Sequence, residues 1–322
     1  MSRGLRLALF GDGAWAADTL SRIQHGPHEV AAVVLRRSPS DGTLEAVARD
    51  LGLPVLQPAN VNTSEMVDSL RGAGVELGLS VAYDQIFRPM LLEAAPLGFL
   101  NLHAGMLPFY RGRNVINWAL INGEREIGVT IHFLDQGVDT GDILLQRSMP
   151  VGWTDTYRDV LCRVVQVAPE MISEALDLVA GGVYERRPQP AIGTYYGGRG
   201  EGDEWLTWSD PSERLHNKVR AISQPGPGAR TLLGDRVITI WRAHFDPAWP
   251  RYRATPGEVV GRSREGAVVK TGDSTLLVQE VQEHGREPEC PRWPIGSRLG
   301  ENLSAVVAAL QERLRRSDQA RR

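Results

Sequence analysis

Cysteine is scarce. The 322 residues hold two, Cys162 and Cys290, in neither a CxxC nor a metal-ligand spacing. That excludes a disulfide framework and fits a reducing compartment. Long hydrophobic runs are missing too. None approaches the ~18 residues that a membrane-spanning helix needs, so a membrane partner is excluded. The opening MSRGLRLALFGDG has an apolar stretch too short for a signal peptide and runs into a Gly-rich turn. It reads as the first strand of a cytoplasmic protein. An excess of positive charge is also absent. Lys and Arg number 36 against 39 Asp and Glu, for a net charge of −3, so no overall basic field points to nucleic acid. The local basic cluster at Arg313, Arg315, Arg316, Arg321 and Arg322 reads as a solvated helix end or tail. What remains is ordinary for a globular chain, with 42% hydrophobic and 23% charged residues. The length suits about two domains, whose cores need no metal or disulfide staple.

The first half alternates short apolar runs with helical patterns. Strands are expected at 5–10, 28–35, in LPVLQP, at 76–83, at 99–104 and in GVTIHFLD, where Val129, Ile131 and Phe133 alternate with Thr130, His132 and Leu134. Helices are expected through Leu20 and Ile23, over Ser64–Leu70, and through Val115, Trp118 and Ala119. Leu44, Val47, Ala48 and Leu51 fall at i, i+3, i+4 and i+7, the spacing of one buried helix face. This alternation predicts an α/β domain with a Rossmann-like, mostly parallel twisted sheet over residues 1–182, with ligands at the carboxyl ends of its strands. Thr154 is the expected N-cap of a long helix that Pro169 kinks or splits. The Pro/Gly/Arg-rich stretch 183–204 reads as a linker. Residues 205–322 change character. A short helix near Glu213–Ile222 leads to an extended turn, SQPGPGAR, and then to RVITIW, GEVVGRS, GAVVKTG and STLLVQEV. That spacing predicts a smaller, mainly β domain, a barrel (OB-like) or sandwich.

Three constellations carry polar chemistry. Gly11-Asp12-Gly13-Ala14-Trp15-Ala16 approximates a dinucleotide fingerprint with alanine at the third glycine position. The second strand ends in Leu35-Arg36-Arg37, and arginines there can hold a 2′-phosphate, so an NADP-dependent oxidoreductase is a rival reading. We favour a plainer reading, a tight first turn with glycines for close strand–helix packing. The second constellation is Asn101-Leu102-His103, where Asn101 and His103 project to one face while Leu100 and Leu102 pack the other. On residue chemistry alone, a satisfied structural pair is as good a reading as a catalytic one. The third is the acidic glycine loop Asp135–Asp142. Its spacing is not that of an EF-hand and it lacks the closing Glu, while a plain solvated turn stays open.

Four blocks then arrive in order: NLHAGMLPFYRG (101–112), NWALINGE (117–124), GVTIHFLD (128–135) and GVDTGDIL (137–144). Together they resemble the folate-dependent formyltransferases, a family that groups methionyl-tRNA formyltransferase, the sugar N-formyltransferases and glycinamide ribonucleotide transformylase. The stretch WLTWSDPSERLHNKVRAISQPGPGAR resembles the start of the C-terminal domain of the methionyl-tRNA enzyme and of the polymyxin-resistance formyltransferase. The resemblance implies a formyltransferase fold, with 10-formyltetrahydrofolate as co-substrate and no metal. It makes Asn101, His103 and Asp139 the catalytic trio. It also places the folate between Ala82, Tyr83, Asp84, Gln85 and Ile86 on one side and Asp135 and Val138 on the other.

The amine acceptor is set by what surrounds the trio. The methionyl-tRNA enzymes carry a longer basic insertion after the second strand, which is short and charge-balanced here. Tyr110-Arg111-Gly112-Arg113-Asn114 resembles the polymyxin-resistance enzyme. The expectation is therefore a small-molecule amine, a nucleotide-linked amino sugar, with Tyr110 and Arg113 contacting it. Methionyl-tRNA is the alternative, and an amino acid or natural-product amine and a homodimeric state stay open.

Overall fold

The computed structural model describes residues 3–300. The basic cluster Arg313–Arg322 lies outside the described residues. Two compact units form. The first takes the chain up to Ala119, Glu124–Gly152 and Asp159–Arg199; the second takes Leu120–Gly123, Trp153–Arg158 and the chain from Gly200 on.

The first unit opens β1 (Arg6–Gly11), α1 (Gly13–Gln24), β2 (Glu29–Leu35), α2 (Thr43–Asp50), β3 (Val55–Leu56), α3 (Ser64–Gly72) and β4 (Leu77–Val81). It continues with α4 (Pro89–Leu92), β5 (Phe99–His103), β6 (Arg111–Gly112), α5 (Val115–Ile121), β7 (Glu126–Phe133), β8 (Ile143–Pro150), α6 (Tyr157–Gly181) and β9 (Tyr195–Tyr196). Seven strands make one sheet in the order β3-β2-β1-β4-β5-β7-β8. The run from β3 to β5 is parallel, and β7 and β8 turn antiparallel. Strands β1, β2 and β4 are buried nearly throughout, as parallel strands covered on both faces must be. Phe10, Phe87 and Phe99 pack edge-on, with centroids 4.8 to 5.8 Å apart, in a core that includes residues of α3 and α4. A Cβ on Gly11 would lie 2.6 Å from Cβ of Ala16, so this glycine serves close strand–helix packing.

Several expectations need correction. Leu51 does not join the buried face of α2; it follows the helix and is 44% exposed. Helix α6 begins at Tyr157, three residues beyond Thr154, and runs unbroken past Pro169 to Gly181. A proline costs a helix interior about 3 kcal/mol. The buried face of Val160, Val164, Ala168, Met171, Ile172, Ala175, Leu176 and Val179 offers tertiary packing enough to outweigh that. Strand β8 has no counterpart among the sequence expectations. Residues 183–199, expected in a linker, group with the first unit, where β9 pairs with β6.

The second unit holds α7 (Ser212–Ile222) and five antiparallel strands, β10 (Ala229–Leu233), β11 (Arg236–His244), β12 (Val259–Ser263), β13 (Gly266–Lys270) and β14 (Thr275–Glu283). Their order is β10-β11-β14-β13-β12. The end of the stretch expected as a turn, from Ala229, opens β10. Residues 297–300 bridge the two edges: Leu299 N donates to Gly257 O and Gly300 N to Leu232 O. The sheet is thereby closed in the manner of a small barrel.

Candidate active site

The carboxyl ends of β4 and β5, the loop after β7 and the turn before α5 surround a cavity of about 630 Å³. Asn101 and His103 reach it from β5, and Asp139 from the loop. The antiparallel register sets Asn101 opposite His132 and His103 opposite Thr130. Because alternate residues share a face, Asn101, His103 and His132 converge on one side of the sheet.

His103 is 7% exposed. Its Nε2 lies 2.6 Å from the Tyr110 carbonyl. A carbonyl only accepts, so Nε2 carries the proton and Nδ1 the lone pair of the neutral ring. That Nδ1 is 3.6 Å from Asp139 Oδ2. Burial pushes the His103 imidazole below its usual 6.5, although Asp139 and the Tyr110 carbonyl pull the other way. Asp139 also faces His132 Nε2 at 3.5 Å and accepts from Gly112 N at 2.8 Å. Burial alone would raise its carboxyl. The adjoining His103 and His132 rings and the Gly112 N–H together outweigh burial and hold it down at about 2. Asp139 is therefore ionised throughout the neutral range.

His132 was not singled out in the sequence, yet it is fully buried and joins both ends of the trio. Its Nδ1 donates to the Phe133 carbonyl at 2.9 Å, which leaves Nε2 to accept from Asn101 Nδ2 at 3.2 Å. Asn101 is thus held with its amide nitrogen fixed.

Among the described residues, the non-glycine residues with positive φ are Ala82, Tyr110, Asn114 and Asp139, at 53° to 58°. Three of them line the cavity, and Tyr110 supplies the carbonyl for His103. Each such conformation costs on the order of 1–3 kcal/mol, and such strain gathers at sites where geometry is imposed.

Of the residues expected to hold folate, Ala82, Tyr83, Asp84, Gln85, Ile86, Asp135 and Val138 all line this cavity. Gln85 shapes their loop by accepting from Val61 N at 3.0 Å, and Asn62 Nδ2 donates to Ile86 O at 2.9 Å. Ile86 and Val138 remain 61% and 42% exposed. Asp135 accepts from Gly137 N and from Thr140 Oγ1 at 2.6 Å, and so fixes its own loop. Asp142 pairs with Arg186 at 3.1 Å. Arg113 lines the cavity, whereas the Tyr110 ring does not: it stacks on Tyr196, and its hydroxyl donates to Glu124. Arg36 pairs with buried Asp12 at 3.1 Å, and Asp12 also accepts from Ser40 N. An arginine so engaged is poorly placed to hold a 2′-phosphate.

The sequence profile of the family described as Formyl transferase matches residues 5–176, and that of the Formyl transferase, C-terminal domain, matches residues 201–292. A methionyl-tRNA formyltransferase of Geobacter sulfurreducens is 35% identical over 314 residues, covering 92% of this chain and 98% of the relative. One of Symbiobacterium thermophilum is 37% identical over 296 residues, covering 88% and 89%. Among solved structures, WlaRD, a sugar 3N-formyl transferase crystallised in the presence of dTDP and 5-N-formyl-THF, superposes with a TM-score of 0.68. It is 18% identical, with 88% of this chain and 99% of that chain covered. Among the described residues no helix is long and apolar enough to cross a membrane.

Proposed function

This chain belongs to the formyltransferase family, and from that premise we propose that it carries a formyl group from 10-formyltetrahydrofolate to the amino group of methionyl-tRNA. The observation that carries the reaction is the convergence of Asn101, His103 and Asp139 in one cavity. A primary amine must shed a proton before it can attack the formyl carbon. Neutral His103 offers its Nδ1 lone pair as the base, and ionised Asp139 stabilises the imidazolium that results. The Nε2–H of His103 is committed to Tyr110 O, so donation to the formyl oxygen falls to Asn101. One hydrogen of its amide goes to His132, and the other can meet the negative charge as it develops. When the carbon–nitrogen bond to the carrier breaks, the proton held by His103 is returned to the leaving nitrogen, and the nitrogen of the new formamide releases its remaining extra proton to water. Ile86 and Val138, apolar and exposed at the cavity, suit the flat ring system of the folate, as does the 5-N-formyl-THF used with a fold neighbour.

The choice of methionyl-tRNA is supported by relatives that share about a third of their residues with this chain over nearly its whole length. The sugar-acting neighbour, at 18% identity, bears on the fold and not on the acceptor. A small amine such as a nucleotide-linked amino sugar is the second reading, favoured by one observation. The β2–α2 connection spans only residues 36–42, and its Arg36 is already paired with Asp12, so it offers little charge to a polyanion. Arg113, in the cavity wall, would then meet an anionic group of the nucleotide.

Supplying the enzyme with 10-formyltetrahydrofolate and each acceptor in turn separates the readings. Turnover of methionyl-tRNA alone is expected. Turnover of nucleotide amino sugars alone installs the second reading, and turnover of neither sinks both. Asn101→Ala, His103→Ala and Asp139→Ala should each lower kcat by about 10²-fold or more, with unchanged thermal unfolding. Full activity in Asp139→Asn would remove that residue from the trio.

A further inference from the structure

Asp139 meets its partners from a backbone conformation that non-glycine residues avoid, with φ at 54°. A side chain 50 residues further along the chain holds that conformation in place. Gln189 Nε2 donates to the Asp139 carbonyl at 2.9 Å and to the Gly141 carbonyl at 2.7 Å. Its Oε1 accepts from Arg111 Nη2 at 2.7 Å and Nε at 3.2 Å. Guanidinium only donates and carbonyl only accepts, so the amide has one possible orientation, and both of its hydrogens are used. We propose that Gln189 is a positioning residue for formyl transfer, clamping the Asp139 peptide so that the carboxylate faces His103 and Gly112. This rests on the reading that Asp139 and His103 work as a pair.

The clamp has firm anchors. Arg111 is 4% exposed, and its Nη1 donates to the Tyr195 hydroxyl at 3.2 Å. Upstream of Gln189, the peptides of Arg187 and Ile143 exchange hydrogen bonds of 3.0 and 2.8 Å. Downstream, Thr194 O accepts from Arg111 N at 2.9 Å, and Thr194 Oγ1 accepts from Tyr110 N at 2.9 Å. A Cβ on Gly193 would fall 2.4 Å from the Pro108 carbonyl, so the segment lies against the loop that carries Tyr110. One strap thus braces the Tyr110 carbonyl, which orients His103, and the Asp139 peptide, which orients the carboxylate. A chain held at both ends, with a short polar side chain between, fixes a group to the fraction of an ångström that such chemistry demands.

Two variants separate positioning from bulk support. Gln189→Glu keeps the acceptor for Arg111 and removes both N–H donors, so the strap stays anchored while the clamp is lost. Gln189→Met keeps the length and loses both halves. Each should lower kcat roughly tenfold to a hundredfold, with the KM of folate and of acceptor changed less than about twofold. In Gln189→Met, the acid limb of the kcat–pH profile should move to lower pH, because Asp139 no longer favours protonated His103. Unchanged kcat and pH profile alongside a lowered Tm would overturn the proposal, leaving a structural brace. So would a rise confined to the acceptor KM. Asp139→Asn, assayed in parallel, tells the two failures apart. If it is fully active, the underlying reading fails; if it is inactive while both Gln189 variants are fully active, the clamp alone fails.

Discussion

His103 and Asp139 stand side by side with both pKa values lowered, for different reasons. Withdrawal of water destabilises the imidazolium of His103 more than Asp139 stabilises it. Asp139, conversely, keeps its charge because two histidines and a backbone N–H face it. Both effects have a sign that kinetics can read. In the proposed mechanism neutral His103 is the base, so kcat at saturation should be level above pH 6.5 and fall as the pH drops through the lowered imidazole value. Asp139→Asn deletes the charge that favours the imidazolium, so in whatever activity remains the acid limb should lie lower still. A limb above 6.5 in the parent, or one that moves upward in the variant, contradicts this account. At this scale the trio was legible because its members sit in contiguous, ordered motifs. His132 was not, since in GVTIHFLD it is one polar residue among alternating ones, and only the register opposite Asn101 gives it a partner. Gln189 lay in a Pro/Gly/Arg-rich stretch where the visible signals concern turns. Tyr110 was legible as a site residue but not by the right group, because its carbonyl serves the site while its ring packs elsewhere.

Strand β4 ends at Val81, immediately before the loop expected to hold folate, and it carries Gly78 beside Phe99 of β5. A Cβ at Gly78 would lie 1.9 Å from the Phe99 ring. Gly78→Ala must therefore displace a fully buried aromatic from its contacts with Phe10 and Phe87. We expect a loss of about 1–3 kcal/mol in stability, measured as a lower denaturant midpoint at unchanged slope. An unchanged midpoint would mean that the ring has room the packing does not suggest. Parallel strands and amphipathic helices were legible, because burial on both faces or along one stripe leaves a local pattern. Strand β8 was not, since five of its eight residues are partly or fully exposed and no clean alternation survives. Two-residue strands such as β6 and β9 exist only through each other, across more than 80 positions of chain, and no local window contains that information.

With 36 basic and 39 acidic side chains, the whole molecule carries little general attraction for a polyanion. If methionyl-tRNA is the acceptor, its KM should rise with salt only shallowly. A log–log slope of about 3 or less is expected, while a small amine would show almost none. A slope above about 6 would demand a basic surface that this charge balance does not suggest. The two-unit organisation was legible from the change between alternating strand–helix patterns and closely spaced strands. The closure of the second sheet by residues 297–300 was not, because it depends on backbone groups meeting across the sheet's edges. The pairing of Asn101 with His132 across β5 and β7 has an evolutionary consequence as well. Adding or deleting one residue within β7 would turn His132 to the opposite face and dismantle the trio's support. The β2–α2 connection is under no such constraint, because none of the trio or its hydrogen-bond partners lies in residues 36–42. Length changes in that connection therefore leave the register of β5 and β7 intact, whereas β7 must keep its length to hold His132 opposite Asn101.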